Sequence, residues 1–97
     1  MEKRKPHHDL EKFKSSNYRV TGTALRTAFQ IGYLKEDIYR VVATMKREQF
    51  YKSMTAYHDH TSWQDVYHVP FSDYLLYIKF TAEQEISEFR LLSFKEK

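Results

Sequence analysis

The spacing of hydrophobic and polar positions changes period near the middle of this chain. In "KEDIYRVVATMK", residues 35–46, Ile38, Val41, Val42 and Met45 recur at i, i+3, i+4 and i+7. That stripe predicts an amphipathic helix, with Glu36, Arg40, Lys46 and, just beyond, Arg47 left for solvent or a partner. Upstream, "TGTALRTAFQIG" offers Thr21 or Thr23 as N-cap and sets Leu25, Ala28 and Phe29 on one stripe. Gly32 then suits a left-handed stop. The opening "PHHDLEKFKSS" has Pro6 where a first helical turn tolerates it, acids early and lysines late, which predicts a short helix from Pro6 to near Asn17. The three segments share a period and not a sequence, so no internal repeat is present.

After residue 62 the pattern becomes β-branched and aromatic with period 2, interrupted at Val69-Pro70 and at the polar "AEQE" of residues 82–85. This predicts three strands. In the middle one, "YLLYIKFT", Leu76, Ile78 and Phe80 make one face, while Tyr77, Lys79 and Thr81 share the other with Leu75. In "FRLLSFK" two phases compete: Arg90, Leu92 and Phe94, or Phe89, Leu91, Ser93 and Lys95. Short turns make the strands antiparallel neighbours. Helices first and strands after predict an α+β domain, with the N-terminal helices packed on one face of a small antiparallel sheet.

A length of 97 residues bounds this to one domain, residues 1–97. With 41% hydrophobic and 30% charged residues and only two Gly and two Pro, the chain has the composition of a folded protein. No stretch approaches the ~20 apolar residues of a membrane span. The charged start "MEKRKP" has no apolar run behind it, so neither a signal peptide nor a membrane partner is expected, and the expected compartment is the cytoplasm. Cysteine is absent, which excludes disulfides, thiolate nucleophiles and cysteine zinc sites. The net charge of +3 is unevenly placed: residues 1–50 hold eleven Lys or Arg against six acids, residues 51–97 five against seven. An anionic partner such as RNA would meet its bulk charge on the N-terminal elements, where Arg40, Lys46 and Arg47 are candidates, with Lys79 on the sheet.

Two constellations carry possible chemistry. His58-Asp59-His60 invites a metal reading, but no third ligand stands at a fixed offset, and no metal or cofactor is expected. His60 is also a candidate acid or base, since an unperturbed imidazole titrates at about 6.5. The second constellation is Lys52, Gln64, Tyr77 and Lys95. Metal-free RNA cleavage must deprotonate a ribose 2′-hydroxyl, hold the charge of a phosphorane and protonate the leaving 5′-oxygen. Lysines hold charge, a tyrosine hydroxyl donates a proton, and an amide orients a phosphate oxygen or base edge. The ordinary alternative is solvated lysines and a strand tyrosine covering its neighbours. A further alternative is a non-catalytic RNA-binding or partner-docking domain of the same fold.

The central "FYKSMTAYHDHTSWQDVY", the opening "MEKRKPH" and the ending "SFKEK" resemble the MqsR toxins, with a weaker likeness at "RTAFQIGY". The resemblance implies a RelE-like fold and the toxin of a bacterial type II toxin-antitoxin pair. It implies an endoribonuclease that stops growth by cleaving mRNA at short motifs, leaving 2′,3′-cyclic or 3′-phosphate and 5′-hydroxyl ends. It also implies a neutralising antitoxin partner of the MqsA type. It assigns the activity to a lysine after Phe-Tyr, a glutamine after Trp, a tyrosine in a Tyr-hydrophobic-Lys strand and the lysine of the last Phe-Lys-Glu-Lys. These are Lys52, Gln64, Tyr77 and Lys95. The likeness thins over residues 9–20 and 68–90, so Tyr67 and Tyr74 stand as alternatives to Tyr77. His58 and His68 lie outside the family pattern.

Overall fold

The computed structural model describes residues 1–83 and 88–97. Among these residues three α-helices, α1 (Leu10–Ser15), α2 (Gly22–Gln30) and α3 (Lys35–Thr44), accompany six strands: β1 (Glu2–Lys3), β2 (Arg19–Val20), β3 (Phe50–Ala56), β4 (Asp59–Phe71), β5 (Tyr74–Glu83) and β6 (Glu88–Glu96). The strands form one sheet in the order β1-β3-β4-β5-β6-β2, antiparallel except for the β2–β6 pair. The expected α+β class is therefore observed, with three more strands than the alternation predicts. No helix among the described residues is long and apolar enough to cross a membrane.

The helix α3 forms as its periodicity dictates, and Ile38, Val41, Val42 and Met45 are all buried. The start of α1 differs from expectation. Asp9, not Pro6, begins it, because the Asp9 carboxylate accepts from the Glu11 and Lys12 amides at 2.9 and 3.2 Å. The preceding His7 and His8 amides are already bound to the Asp65 carboxylate in the sheet, which keeps that stretch extended. The helix also ends early, where Ser16 Oγ donates to the Phe13 carbonyl at 2.7 Å. In α2, Thr21 caps as expected and its amide donates to Leu91 O, tying the helix start to β6. The stripe is rotated, however. Ala24 and Ala28 are fully buried while Leu25 and Phe29 are 39% and 65% exposed. Small side chains let the helix approach the sheet closely enough for Thr27 Oγ1 to donate to Phe94 O at 2.6 Å, which fixes the inward face.

Gly32 stops α2 with φ of +86°. Nothing lies within 4 Å of where a Cβ would stand, so an alanine there meets backbone strain and no clash. Gly32→Ala is expected to cost about 1 kcal/mol. A lower urea midpoint with an unchanged m-value is the check.

Strand β3 lies before the predicted onset of strand structure, and its alternation is broken by irregularities at Phe50/Lys52 and Thr55/Ala56. It pairs with β4 across a turn at Tyr57-His58, and β4 begins at Asp59, so His60 lies in a strand. The expected break at Val69-Pro70 is also absent: β4 runs on to Phe71, and Pro70 pairs with Leu75. The pairing of β4 with β3 ends at Tyr67, so Pro70 lies at a free edge where its missing N–H breaks no ladder bond. The polar break expected at 82–85 runs into residues 84–87, which lie outside the described residues; Ala82 and Glu83 themselves belong to β5.

Leu76, Ile78 and Phe80 of β5 are buried as predicted. The ambiguity of β6 resolves into a bulge: Lys79 pairs with Ser93 and Phe80 with Leu91, leaving Leu92 as the extra residue. The bulge switches phase, so Phe94 and Leu91, three apart, face the same side and are both buried. These side chains form one cluster with Leu10, Phe13, Ala24, Ala28, Ile38, Val41 and Val42 of the helices. Phe13 stacks flat on Phe80 with ring centroids 3.9 Å apart at its centre.

Candidate active site

Residues paired across neighbouring strands project to the same side of a sheet. The register therefore sorts the polar residues into rows. His68 pairs with Tyr77, and Tyr77 with Lys95. The next row is Lys52, Val66, Lys79 and Ser93, and the next Met54, Gln64, Thr81 and Arg90. Residues alternating with these, among them Tyr67, Val69, Ile78 and Phe94, belong to the core cluster. Lys52, Gln64, Tyr77 and Lys95 thus share the sheet face turned away from that core, and Lys79 lies among them.

They do not converge on one point. Successive rows are two residues, about 7 Å, apart along the strands. Lys52 lies one row from Tyr77 and Lys95, while Gln64 lies two rows away, about 13 Å. Tyr77 and Lys95 are direct neighbours on β5 and β6, Lys52 lies one row on and two strands across from Tyr77 on β3, and Gln64 lies two rows on in β4. Lys95 Nζ stands 5.1 Å from the centroid of the Tyr77 ring. Lys52 Nζ bonds Glu2 Oε1 at 2.5 Å, because β1 lies beside β3 with Glu2 opposite Met54. That bond raises the Lys52 pKa and lowers that of Glu2. Burial raises the Tyr77 phenol against the opposing pull of Lys52, so both Lys52 and Tyr77 keep their protons at neutral pH. Burial, reinforced by Lys95, draws the Lys79 ammonium below the ordinary lysine value.

The two alternative tyrosines lie elsewhere. Tyr67 is fully buried on the core side, where desolvation pushes its hydroxyl up to about 12 and leaves it without a hydrogen-bond partner among the described residues. Tyr74 packs against the core, its ring 5.8 Å from that of Tyr33. Of the three, only Tyr77 shares the face of Lys52 and Lys95. Arg40 is on α3, paired with Asp37 at 3.5 Å, and Lys46 and Arg47 follow that helix, so the structure groups none of the three with the lysines of the outer face. His60 is in β4 eight positions from His68, about 26 Å along the strand, and stands apart from Tyr77 and Lys95. Among the described residues no cluster of three or more His, Asp or Glu is placed to hold a metal ion.

One residue of this face is not foreseen from the pattern. His68, half-buried, is stacked on Tyr51 at 4.2 Å between ring centroids and lies 6.0 Å from the Tyr77 ring. Burial and the Lys97 ammonium lower its pKa from 6.5. Its only sequence signal is a place in phase with Gln64 and Val66, which means little until the register is known.

The aromatic density of residues 49–67 serves both faces. Trp63 lies on the core side, where it stacks with His7 at 5.4 Å and receives Lys3 Nζ at 4.2 Å from its centroid. The N-terminal arm is thereby laid across the sheet, and Glu2 is carried to Lys52.

Comparison with known proteins identifies the family. The family described as "Motility quorum-sensing regulator, toxin of MqsA" matches residues 5–96. The mRNA interferase toxin MqsR of Escherichia coli (strain K12) is 39% identical over 101 aligned residues, covering 100% of this chain and 100% of that protein. The chain belongs to the MqsR toxin family.

Proposed function

We propose that this chain is the toxin of a type II toxin-antitoxin pair, an endoribonuclease that cleaves mRNA in the cytoplasm and is held in check by an antitoxin of the MqsA type. The reading includes a RelE-like arrangement in which the helices cover one sheet face and RNA crosses the other. It is carried by one observation: two ammonium groups, Lys52 and Lys95, flank the Tyr77 phenol in adjacent rows of the outer face.

The ribose 2′-oxygen attacks the adjacent phosphorus, and negative charge grows on the non-bridging oxygens. The Lys52 ammonium and the Tyr77 hydroxyl, both protonated at neutral pH, stabilise that charge. The Lys95 ammonium gives a proton to the departing 5′-oxygen. Gln64, two rows off, orients the neighbouring nucleotide through its amide. Lys79 adds positive potential under the backbone. In the free protein Glu2 occupies Lys52, and a substrate phosphate takes its place.

Purified protein incubated with a defined transcript in EDTA is expected to yield fragments with 5′-hydroxyl and 2′,3′-cyclic or 3′-phosphate ends, and the purified antitoxin to suppress them. Folded protein that binds the transcript in a salt-dependent way and leaves it intact would replace this reading with a non-catalytic RNA-binding domain.

A further inference from the structure

Attack by a 2′-hydroxyl needs a group that takes a proton, besides those that hold charge and give one. Lys52 is an ammonium engaged by Glu2, Tyr77 keeps its phenolic proton, and Gln64 does not titrate. None of these three presents a basic lone pair at neutral pH. An imidazole does, and it lies in the row of Tyr77 and Lys95. His68 is the direct cross-strand partner of Tyr77, and its ring is held in orientation by the Tyr51 ring stacked on it. Being half-buried, it still opens to the face across which RNA would run.

We propose that His68 is the general base of this reaction, a catalytic residue beside Lys52, Tyr77 and Lys95. The proposal rests on the assignment of those three to the scissile phosphodiester. The 2′-O–H bond breaks, its proton passes to an imidazole nitrogen and its electron pair forms the new O–P bond. The P–O5′ bond breaks, and the 5′-oxygen takes a proton from Lys95; water then restores both groups.

The surroundings favour the neutral, proton-accepting form. The groups that face His68 are Tyr51 and Lys52 from β3, Tyr77 and Lys79 from β5, Lys95 from β6 and Lys97 just beyond it. All are cationic or uncharged, and Glu2, the carboxylate at this edge, is taken up by Lys52. Burial and Lys97 accordingly depress the imidazole, so that it is unprotonated at pH 7.

Single-turnover cleavage between pH 5 and 9 tests the role, comparing wild type with His68→Gln, His68→Ala and Lys95→Ala. The wild-type rate should rise with pH through an apparent pKa below 6.5 and level off near neutrality. His68→Gln, which keeps a flat polar group against Tyr51, should be slower by about 10²–10⁴ at neutral pH and lose the acid limb, with RNA affinity unchanged. Free imidazole should restore part of the rate of His68→Ala. If His68→Gln keeps the wild-type rate and acid limb while Lys95→Ala is impaired, the base is not His68 and the site stands. If His68→Gln loses affinity alone, it is a binding residue and the proposal fails. If Lys95→Ala cleaves at the wild-type rate, the site assignment falls and takes the role of His68 with it.

Discussion

Lys95→Ala is expected to slow RNA cleavage by about 10²–10³, the range lost when one preorganised donor is removed from a developing charge. The side chain is exposed near the C-terminal end of β6, so its removal leaves no buried gap and the fold should persist, as circular dichroism can verify. What it contributes is position. The pairing of Lys95 with Tyr77 fixes the ammonium beside the phenol, with Nζ 5.1 Å from the ring centroid. Lys95→Arg keeps the charge and changes the shape and acidity of the donor. A guanidinium does not release a proton at any pH near neutrality, so Arg should recover RNA affinity and little of the rate. Lys52→Ala should show a comparable loss, and Tyr77→Phe, which keeps the ring and deletes the hydroxyl, should separate packing from proton donation. Wild-type turnover in both alanine variants would move the chemistry off this face.

The elements that the sequence reveals are those whose stabilisation is local and periodic. Ile38, Val41, Val42 and Met45 repeat at helical spacing and all become buried; Leu76, Ile78 and Phe80 repeat at strand spacing and do the same. What remains hidden depends on partners far along the chain. Strand β3 has a buried polar residue, Ser53, whose place is intelligible only because its hydroxyl donates to Asp65 at 2.6 Å, twelve residues away. The two-residue strands β1 and β2 are too short to show a period. The phase of β6 is unreadable because Leu92 is inserted at a bulge that only the pairing with β5 defines. For the site, the family likeness names Lys52, Gln64, Tyr77 and Lys95, whereas strand register decides which of them lie close. It sets Gln64 two rows away and brings in His68, whose neighbours Tyr51 and Tyr77 come from two other strands.

The N-terminal arm joins stability to the site, and Asp65 is its anchor. This carboxylate is fully buried and accepts from the His7 amide at 3.1 Å, the His8 amide at 2.8 Å and Ser53 Oγ at 2.6 Å. Three donors compensate the charge, which is what a buried carboxylate requires. Asp65→Ala removes the acceptor, leaves two amides unsatisfied at about 1–3 kcal/mol for each that stays buried, and leaves the Ser53 hydroxyl only its longer bond to Gln64 O at 3.3 Å. Partial rescue by water as the arm lifts brings the expected loss to about 3–4 kcal/mol, a large fraction of a small domain's stability. Asp65→Asn retains one accepting oxygen and turns an amide group toward the remaining donors, so it should fall between the two. Because the arm carries Glu2, its release should also free Lys52 and shift cleavage before global unfolding. Urea denaturation gives the stability loss, and hydrogen exchange at the His7 and His8 amides gives its location. A wild-type midpoint in Asp65→Ala, with both amides still protected, would mean that the arm is held by the His7 and Lys3 contacts with Trp63 and not by the carboxylate.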